Sequence, residues 1–318
     1  MPAEIVHKIL NRIGHPDLVE TLGKLSGTEL NSLLLEVFSQ QANSLTPPQL
    51  LNLYQKNRFV KPADLPVIDL RRWELDILEL FQRHAFQILE LSPVAALGSC
   101  SVVALADQKK VLSALRGTEV LADATNALAL HISDLKKRKV WLPKSMHDTL
   151  RFGVIQRHVR TQQIEGKGFT PHFKIGCLVT SGADSGSFGF EKQALLEHIT
   201  VMKALYKGYH QVEDLSFKFL CRKGYDDAHE LARQVKRHVL QHHPELEIEI
   251  VDQPEKEIGY YAGIQYKVVI GVKGKTFEIG DGGFVDWTQK LLQNRKERML
   301  STGFGFEFMY RIVSGQLG

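Results

Sequence analysis

Along residues 1–60 the apolar positions recur every three or four places, the spacing of helices with one buried face. Ile5, Ile9, Leu10 and Ile13 share such a face until Gly14-His15-Pro16 ends it. Ser26-Gly27-Thr28-Glu29 has the form of a capping box and opens a second helix through Leu30, Leu33, Leu34, Val37 and Phe38. Thr46-Pro47-Pro48 opens a third, with Leu50, Leu51, Leu53 and Tyr54, because the first helical turn tolerates proline. The two prolines in Lys61-Pro62-Ala63-Asp64-Leu65-Pro66 resist both helix and inner strand and mark a linker. The expected division is a helical module over residues 1–62 and a main domain over 67–318. The module reads as packing against that domain, with recognition of a partner as the alternative.

From Asp69 the pattern predicts a long amphipathic helix with Leu70, Trp73, Leu75, Ile77, Leu78, Leu80 and Phe81 buried. Phe86 to Leu91 then reads as a strand closed by Pro93, and Lys110 to Leu115 as a strand opening into the polar turn Arg116-Gly117-Thr118-Glu119. An Ala/Leu-rich helix follows over Val120 to Leu130, so Thr118 and Glu119 suit a helix cap as well as they suit a pocket. Val154, Ile155 and Val159 belong to one strand, ending with Arg157 and Arg160 exposed, and Phe173 to Val179 to a second. The turn Glu165-Gly166-Lys167-Gly168 between them has two glycines that tolerate positive φ and one cation. Further on, helices are expected over Glu191 to Tyr206 and Asp226 to His242. Strands are expected over Leu215 to Cys221, Leu246 to Val251, Gly259 to Val268 and Thr276 to Ile279.

Composition narrows the function classes only modestly. With 43% hydrophobic and 24% charged residues in 318, the chain reads as an ordinary soluble protein large enough for a sizeable core. A formal charge of +4 permits a nucleotide or nucleic acid without arguing for one. Cys100, Cys177 and Cys221 are far apart among apolar neighbours, which favours reduced buried thiols over disulfides or zinc. His238 and His242 stand one helical turn apart but have no Cys or acidic partner at ligand spacing, so no metal site is expected. The N-terminus lacks a signal-peptide pattern and no run approaches roughly 18 apolar residues, so the expectation is a cytoplasmic protein without a membrane span. An arginine-rich tract with interleaved aromatics, the mark of an RNA-binding module, is missing.

The candidate chemistry centres on Arg157 to Gly182. Guanidinium groups make bidentate, charge-assisted bonds to phosphate, and a glycine turn lets backbone approach a ligand closely. The hairpin resembles motif 2 of class II aminoacyl-tRNA synthetases in its histidyl-tRNA synthetase form. There a first strand ends in Phe-Arg-x-Glu and a second carries a central glycine; here Val159-Arg160-Thr161-Gln162 and Ile175-Gly176-Cys177 stand in those places. Other stretches resemble the same family in the same order. The helix, strand and Pro93 resemble motif 1, which builds a dimer interface in the family. Leu115-Arg116 resembles the start of a Leu-Arg-Pro-Glu pocket segment, with Glu119 displaced by one position. Tyr260-Tyr261-Ala262-Gly263 resembles the Tyr-Tyr-Thr-Gly strand of the histidine pocket, with Lys256 at the place of the family's catalytic arginine. Gly280-Asp281-Gly282-Gly283-Phe284-Val285-Asp286 is similar to a Gly-Gly-Arg-Tyr-Asp turn, and Ser301 to Ile312 to motif 3.

The resemblance implies an α+β fold: an antiparallel sheet with mixed edges, flanked by helices, with a small N-terminal helical module. It implies a homodimer that binds bent ATP with Mg²⁺. The residues carried over for ATP are Arg160, Gln162, Lys167, Phe173 and Arg311, with Arg160, Arg311 and Lys256 as the catalytic cations and Phe304 or Phe306 against the base. Those carried over for the substrate pocket are Arg116, Glu119, Lys174, Tyr260, Tyr261, Gly263, Gly282 and Gly283. The family's amino-binding glutamine and glutamate correspond to Lys174 and Leu178, which argues against a free amino acid in the usual pose. The chain ends at Gly318 without the family's anticodon-binding domain, so the expectation is neither direct tRNA binding nor tRNA charging by the chain alone. Two functions follow. One is activation of a small carboxylic acid as an adenylate, passed to a carrier or partner protein. The other is a non-catalytic, ligand-sensing subunit like the synthetase-like partner of ATP phosphoribosyltransferase.

Overall fold

In a computed structural model of the chain, residues 2–162, 170–208, 212–251 and 259–316 are described. They begin with four helices, α1 (Pro2–Arg12), α2 (Leu18–Gly23), α3 (Gly27–Asn43) and α4 (Pro47–Lys56). The capping box forms as its sequence dictates: Glu29 N donates to Ser26 Oγ, and Ser26 N donates to the Glu29 carboxylate. Helices α2 to α4 bury none of their side chains fully, and their leucines and Phe38 lie largely in the open. Contacts with the rest of the chain include Arg116 N donating to Asn31 Oδ1 at 2.6 Å and the Arg58 guanidinium donating to Thr161 O.

The linker leads into α5 (Val67–Arg83). Leu70, Trp73, Ile77 and Phe81 are buried as expected, but Leu75 is 57% exposed and Glu74 is buried in its stead. Leu75 falls one position outside the arc that faces the sheet. The strand expected over 86–91 shrinks to β1 (Gln87–Ile88), followed by β2 (Val94–Ala96), β3 (Ser113–Ala114) and β4 (Thr118–Val120), the last three forming a small sheet of their own. Because Thr118–Val120 is a strand, α6 starts only at Ala124 and runs to Lys137.

The remaining elements are β5 (Leu150–Val159), β6 (His172–Ala183), α7 (Gly189–Lys207), β7 (Asp214–Cys221), α8 (Ala228–His242), β8 (Glu247–Val251), β9 (Ala262–Val272), β10 (Lys275–Val285), α9 (Trp287–Leu292), β11 (Glu297–Phe304) and α10 (Phe306–Val313). The large sheet has the order β1-β5-β6-β11-β10-β9-β7-β8, antiparallel inside with a parallel pair at each edge. Lys273 and Gly274 join β9 to β10 with φ of 52° and 69°, the two left-handed residues that a tight twisted hairpin requires. Gly280-Asp281-Gly282-Gly283 is not a turn. It lies within β10, paired on both sides. A Cβ at Gly282 would stand 2.6 Å from both Ser301 O and the Tyr266 ring, so the glycine serves close packing rather than a change of direction.

Helices α5, α7, α8 and α10 cover one face of the sheet through Phe81, Leu195, Val235 and Met309. Helices α6 and α9 cover the other through Leu128, Ile132 and Trp287. The three cysteines are buried, and burial pushes the Cys100 thiol up to about 12 and that of Cys177 well above its ordinary value. No helix among the described residues is long and apolar enough to cross a membrane.

Candidate ligand cavity

Strand alternation decides which side chains meet. On β6 the odd positions Ile175 and Cys177 face the side covered by α6, and the even positions Lys174 and Leu178 face α5. On β5, His158 points the same way as Cys177, and Arg160 follows it just past the strand end. These residues, with Ser301 and Gly303 of β11, Asp281 and Glu278 of β10 and Lys267 of β9, floor a cavity of about 280 Å³. Tyr260, Tyr261, Asp123 and Thr125 form its wall. A neighbouring space of about 400 Å³ shares Arg160, Asp123, both tyrosines and Asp281, and reaches Gln162 and Lys110.

Asp123 is the N-cap of α6: its Oδ1 accepts from Thr125 N at 2.8 Å. Its Oδ2 accepts from the Tyr260 hydroxyl at 2.7 Å. Burial alone would raise this carboxyl, but the Arg160 guanidinium and the hydrogen bonds from Thr125 and Tyr260 outweigh it and hold Asp123 below the usual carboxylate range. His158 is buried and neutral, with its pKa pushed down to about 4, chiefly by burial. Its Nε2 accepts from Ala124 N at 2.8 Å, which fixes the start of α6 against β5. Arg160 donates from Nε to Ala122 O at 3.2 Å and lies 5.6 Å from the centre of the Phe173 ring. The hydroxyls of Tyr260 and Tyr261 are raised well above their ordinary value, chiefly by burial, so both are neutral donors.

The far wall is acidic. Lys267 Nζ lies 3.8 Å from both Glu278 and Asp281. Asp281 also accepts from Gln265 Nε2 at 3.1 Å, and Gln265 Oε1 in turn accepts from Arg222 at 2.7 Å, which fixes the orientation of the amide. Three carboxylates and two cations thus line one cavity, an arrangement that suits a ligand bearing both charges. Among the described residues no group of three His, Cys, Asp or Glu side chains could hold a metal ion. A Mg²⁺ there would depend on phosphate oxygens for most of its ligands.

The structure brings together Arg160, Phe173, Tyr260 and Tyr261, with Gln162 in the adjoining space. Gly283 lies beneath Tyr261, where a Cβ would come within 2.6 Å of the ring. Gly263 and Gly282 serve the opposite face, packing against Tyr225 and Tyr266. Other expected residues stand elsewhere. Arg311 is in the last turn of α10 and donates to Asp64 O at 3.2 Å, outside the cavity lining. Lys174 Nζ is held by both carboxylate oxygens of Glu74 at 2.5 and 2.6 Å, on the α5 side of the sheet. Arg157 points the same way, paired with Glu307 at 2.6 Å. Arg116 is exposed at the tip of the β3–β4 turn, with φ of 64°. Glu119 is fully buried and spends its carboxylate on Gly98 N, Cys100 N and Gln108, closing a loop. Phe306 is a core residue, Phe304 is buried in the same core but borders the cavity, and Lys167 and Lys256 lie outside the described residues.

Since Lys174 and Leu178 face away, the charge argument drawn from them against a free amino acid does not apply to this cavity. Asp123, Thr125, Lys267, Glu278 and Asp281 were not singled out from sequence. Asp123-Ala124-Thr125 carried a signal, an N-cap pattern, but a helix expected from Val120 placed it inside the first turn.

No family model and no curated protein matches the chain. Solved structures do. The apo histidyl-tRNA synthetase of S. aureus superposes with a TM-score of 0.60 at 11% identity, over 82% of this chain and 70% of that one. An ATP phosphoribosyltransferase regulatory subunit/histidyl-tRNA synthetase from Bacillus halodurans C gives 0.58 at 12% identity, over 83% of each chain. The RNA binding domain of threonyl-tRNA synthetase from Cryptosporidium parvum Iowa II gives 0.63 at 8% identity, over 81% of this chain and 68% of that one. The chain therefore has the fold of a class II synthetase core: a large, mostly antiparallel sheet flanked by helices.

Proposed function

We propose that this synthetase-like chain binds a small zwitterion, an α-amino acid or a close analogue, and acts as a ligand-sensing subunit. Arg160 grips the ligand carboxylate and Asp123 its ammonium group. The observation that carries the reading is the pairing itself: a guanidinium and an ionised carboxylate share one cavity, and the Tyr260 hydroxyl and Thr125 hold the carboxylate in position. Planar bidentate contact is what Arg offers a carboxylate, and a buried carboxylate is the natural partner of an ammonium group. Arg311, expected as the second triphosphate cation, is engaged with Asp64 O instead, and the carboxylates of Glu278 and Asp281 oppose a polyanion.

The second reading is ATP-dependent activation of a carboxylic acid, favoured by Gln162 and Lys110 beside Arg160 in the adjoining space. The acid's oxygen would form a bond to the α-phosphorus while the bond to the β-phosphate oxygen breaks and pyrophosphate leaves with its electron pair. Arg160 would stabilise the charge that develops. Bound Mg²⁺ would neutralise phosphate charge. A homodimer, as in the family resembled, remains compatible with either reading.

The test is a thermal-shift screen of the protein amino acids, with ATP and Mg²⁺ as a separate arm, on native protein and on Arg160→Ala. A selective ligand raises the melting temperature by mass action. The sensing reading expects one or a few amino acids to stabilise native protein alone. Stabilisation by ATP·Mg²⁺ alone, followed by acid-dependent pyrophosphate exchange, would move the assignment to the ligase.

A further inference from the structure

The sheet has a second concavity, at the end opposite the Arg160 cavity, where β6, β7 and β10 finish and β9 and β11 begin. It encloses about 480 Å³ on the α7–α8 side. Its described lining is strongly acidic: Asp184, Glu191, Asp226, Asp227 and Asp286 against the guanidinium of Arg298. Most of Arg298 is already engaged. Its Nη2 pairs with Asp184 at 2.6 Å, its Nε with Glu191 Oε1 at 3.0 Å, and its Nη1 donates to Arg295 O at 2.8 Å.

Glu191 is the unusual member. It is 1% exposed, and its Oε1 takes two donors, Arg298 and the Tyr225 hydroxyl at 2.8 Å. Its Oε2 is buried without any hydrogen-bond partner. A buried carboxylate oxygen left bare is rare in folded proteins, because the desolvation it suffers is uncompensated. Here it belongs to a residue that lines an open, acidic concavity, and a donor brought in by a ligand would complete it.

We infer that this concavity is a binding site for a small organic cation, an alkyl diamine or polyamine. One ammonium end would complete Glu191 and the other would sit among Asp226 and Asp227 at the rim. The walls support an alkyl chain rather than a bare ion. Phe188, Tyr225 and Phe284 follow one another with ring centres 6.2 and 6.4 Å apart, a surface suited to methylene groups and to cation–π contact. No three acidic or histidine side chains among the described residues converge as metal ligands would. The space is also larger than a bound ion needs.

The test is calorimetric titration of the intact chain with spermidine and with cadaverine, separately, at low ionic strength. Saturable binding is expected, weakened about tenfold or more in Glu191→Gln, which keeps the shape but removes the charge. Asp226→Asn, a change at an exposed rim residue that leaves folding undisturbed, is expected to weaken it several-fold. Arg160→Ala is expected to leave amine binding unchanged, so failure of the zwitterion site and failure of this one are separable. Absence of amine binding to native protein overturns the assignment. So does binding by both charge variants that equals that of native protein, or loss of amine binding on addition of Mg²⁺ at equal concentration.

Discussion

Gly283 has no side chain because Tyr261 occupies the space. A Cβ there would stand 2.5 Å from Ile264 O and 2.6 Å from Tyr261 Cδ1, so Gly283→Ala must displace either a strand or the ring that walls the cavity. The expected outcome is a loss of ligand affinity of about tenfold or more, with a destabilisation of about 1–3 kcal/mol from overpacking. Calorimetry beside a urea melt would separate the two effects. The glycine pair was visible in the sequence, but it resembled a turn, and only its pairing with β11 and β9 identifies it as strand. Two acids near the start of α6 were harder to tell apart. Glu119 and Asp123 both suit a cap, and what separates them is distant in sequence: Glu119 is consumed by backbone donors at Gly98 and Cys100, while Asp123 meets Tyr260.

At the scale of elements, β5 and β6 determine which expected residues can act together. Moving one residue along a strand exchanges its faces. Motif likeness anchored Gly176 in β6 but could not say which face α5 would cover, and Lys174 falls on that face with Glu74. Lys174→Ala therefore leaves a buried carboxylate without its main partner. A loss of about 3 kcal/mol of stability is expected in denaturant unfolding. Ligand affinity should stay within about twofold of native, since the change lies across the sheet from the cavity. A large affinity loss at unchanged stability would return Lys174 to the pocket. The strands themselves were largely legible from alternation, and β3 lies inside the longer strand expected over Lys110 to Leu115, whereas β2 and β4 were not legible, because three-residue strands carry too few positions to display a period.

Across the whole molecule, two buried histidines tie the fold to pH. His158 pins α6 to β5, and His198, between Thr180 and Thr302, ties α7 to β6 and β11. Burial depresses both, to about 4 and about 3, so the folded protein keeps them neutral where the unfolded chain protonates them. Between the unfolded value near 6.5 and the folded values the unfolded chain binds more protons, and stability therefore rises with pH across that window. The melting temperature is expected to fall as pH drops from about 6.5 towards 4 and to change little between 7 and 8. His198→Gln should be less stable at pH 7 with a shallower acid slope; an unchanged slope would remove His198 from this account. The order of the large sheet could be expected only through resemblance, because pairing between β6 and β11 joins segments that local patterns cannot connect.

Under the proposed function, Asp123 receives an ammonium group while Arg160 holds the carboxylate of the same ligand. The most direct measurement is a calorimetric cycle that compares the best-binding amino acid with its des-amino analogue, on native protein and on Asp123→Asn. If Asp123 receives the ammonium, removing the amino group weakens binding to native protein about tenfold or more and matters little to the variant. An equal loss in both proteins would contradict the claim and detach the ammonium from Asp123.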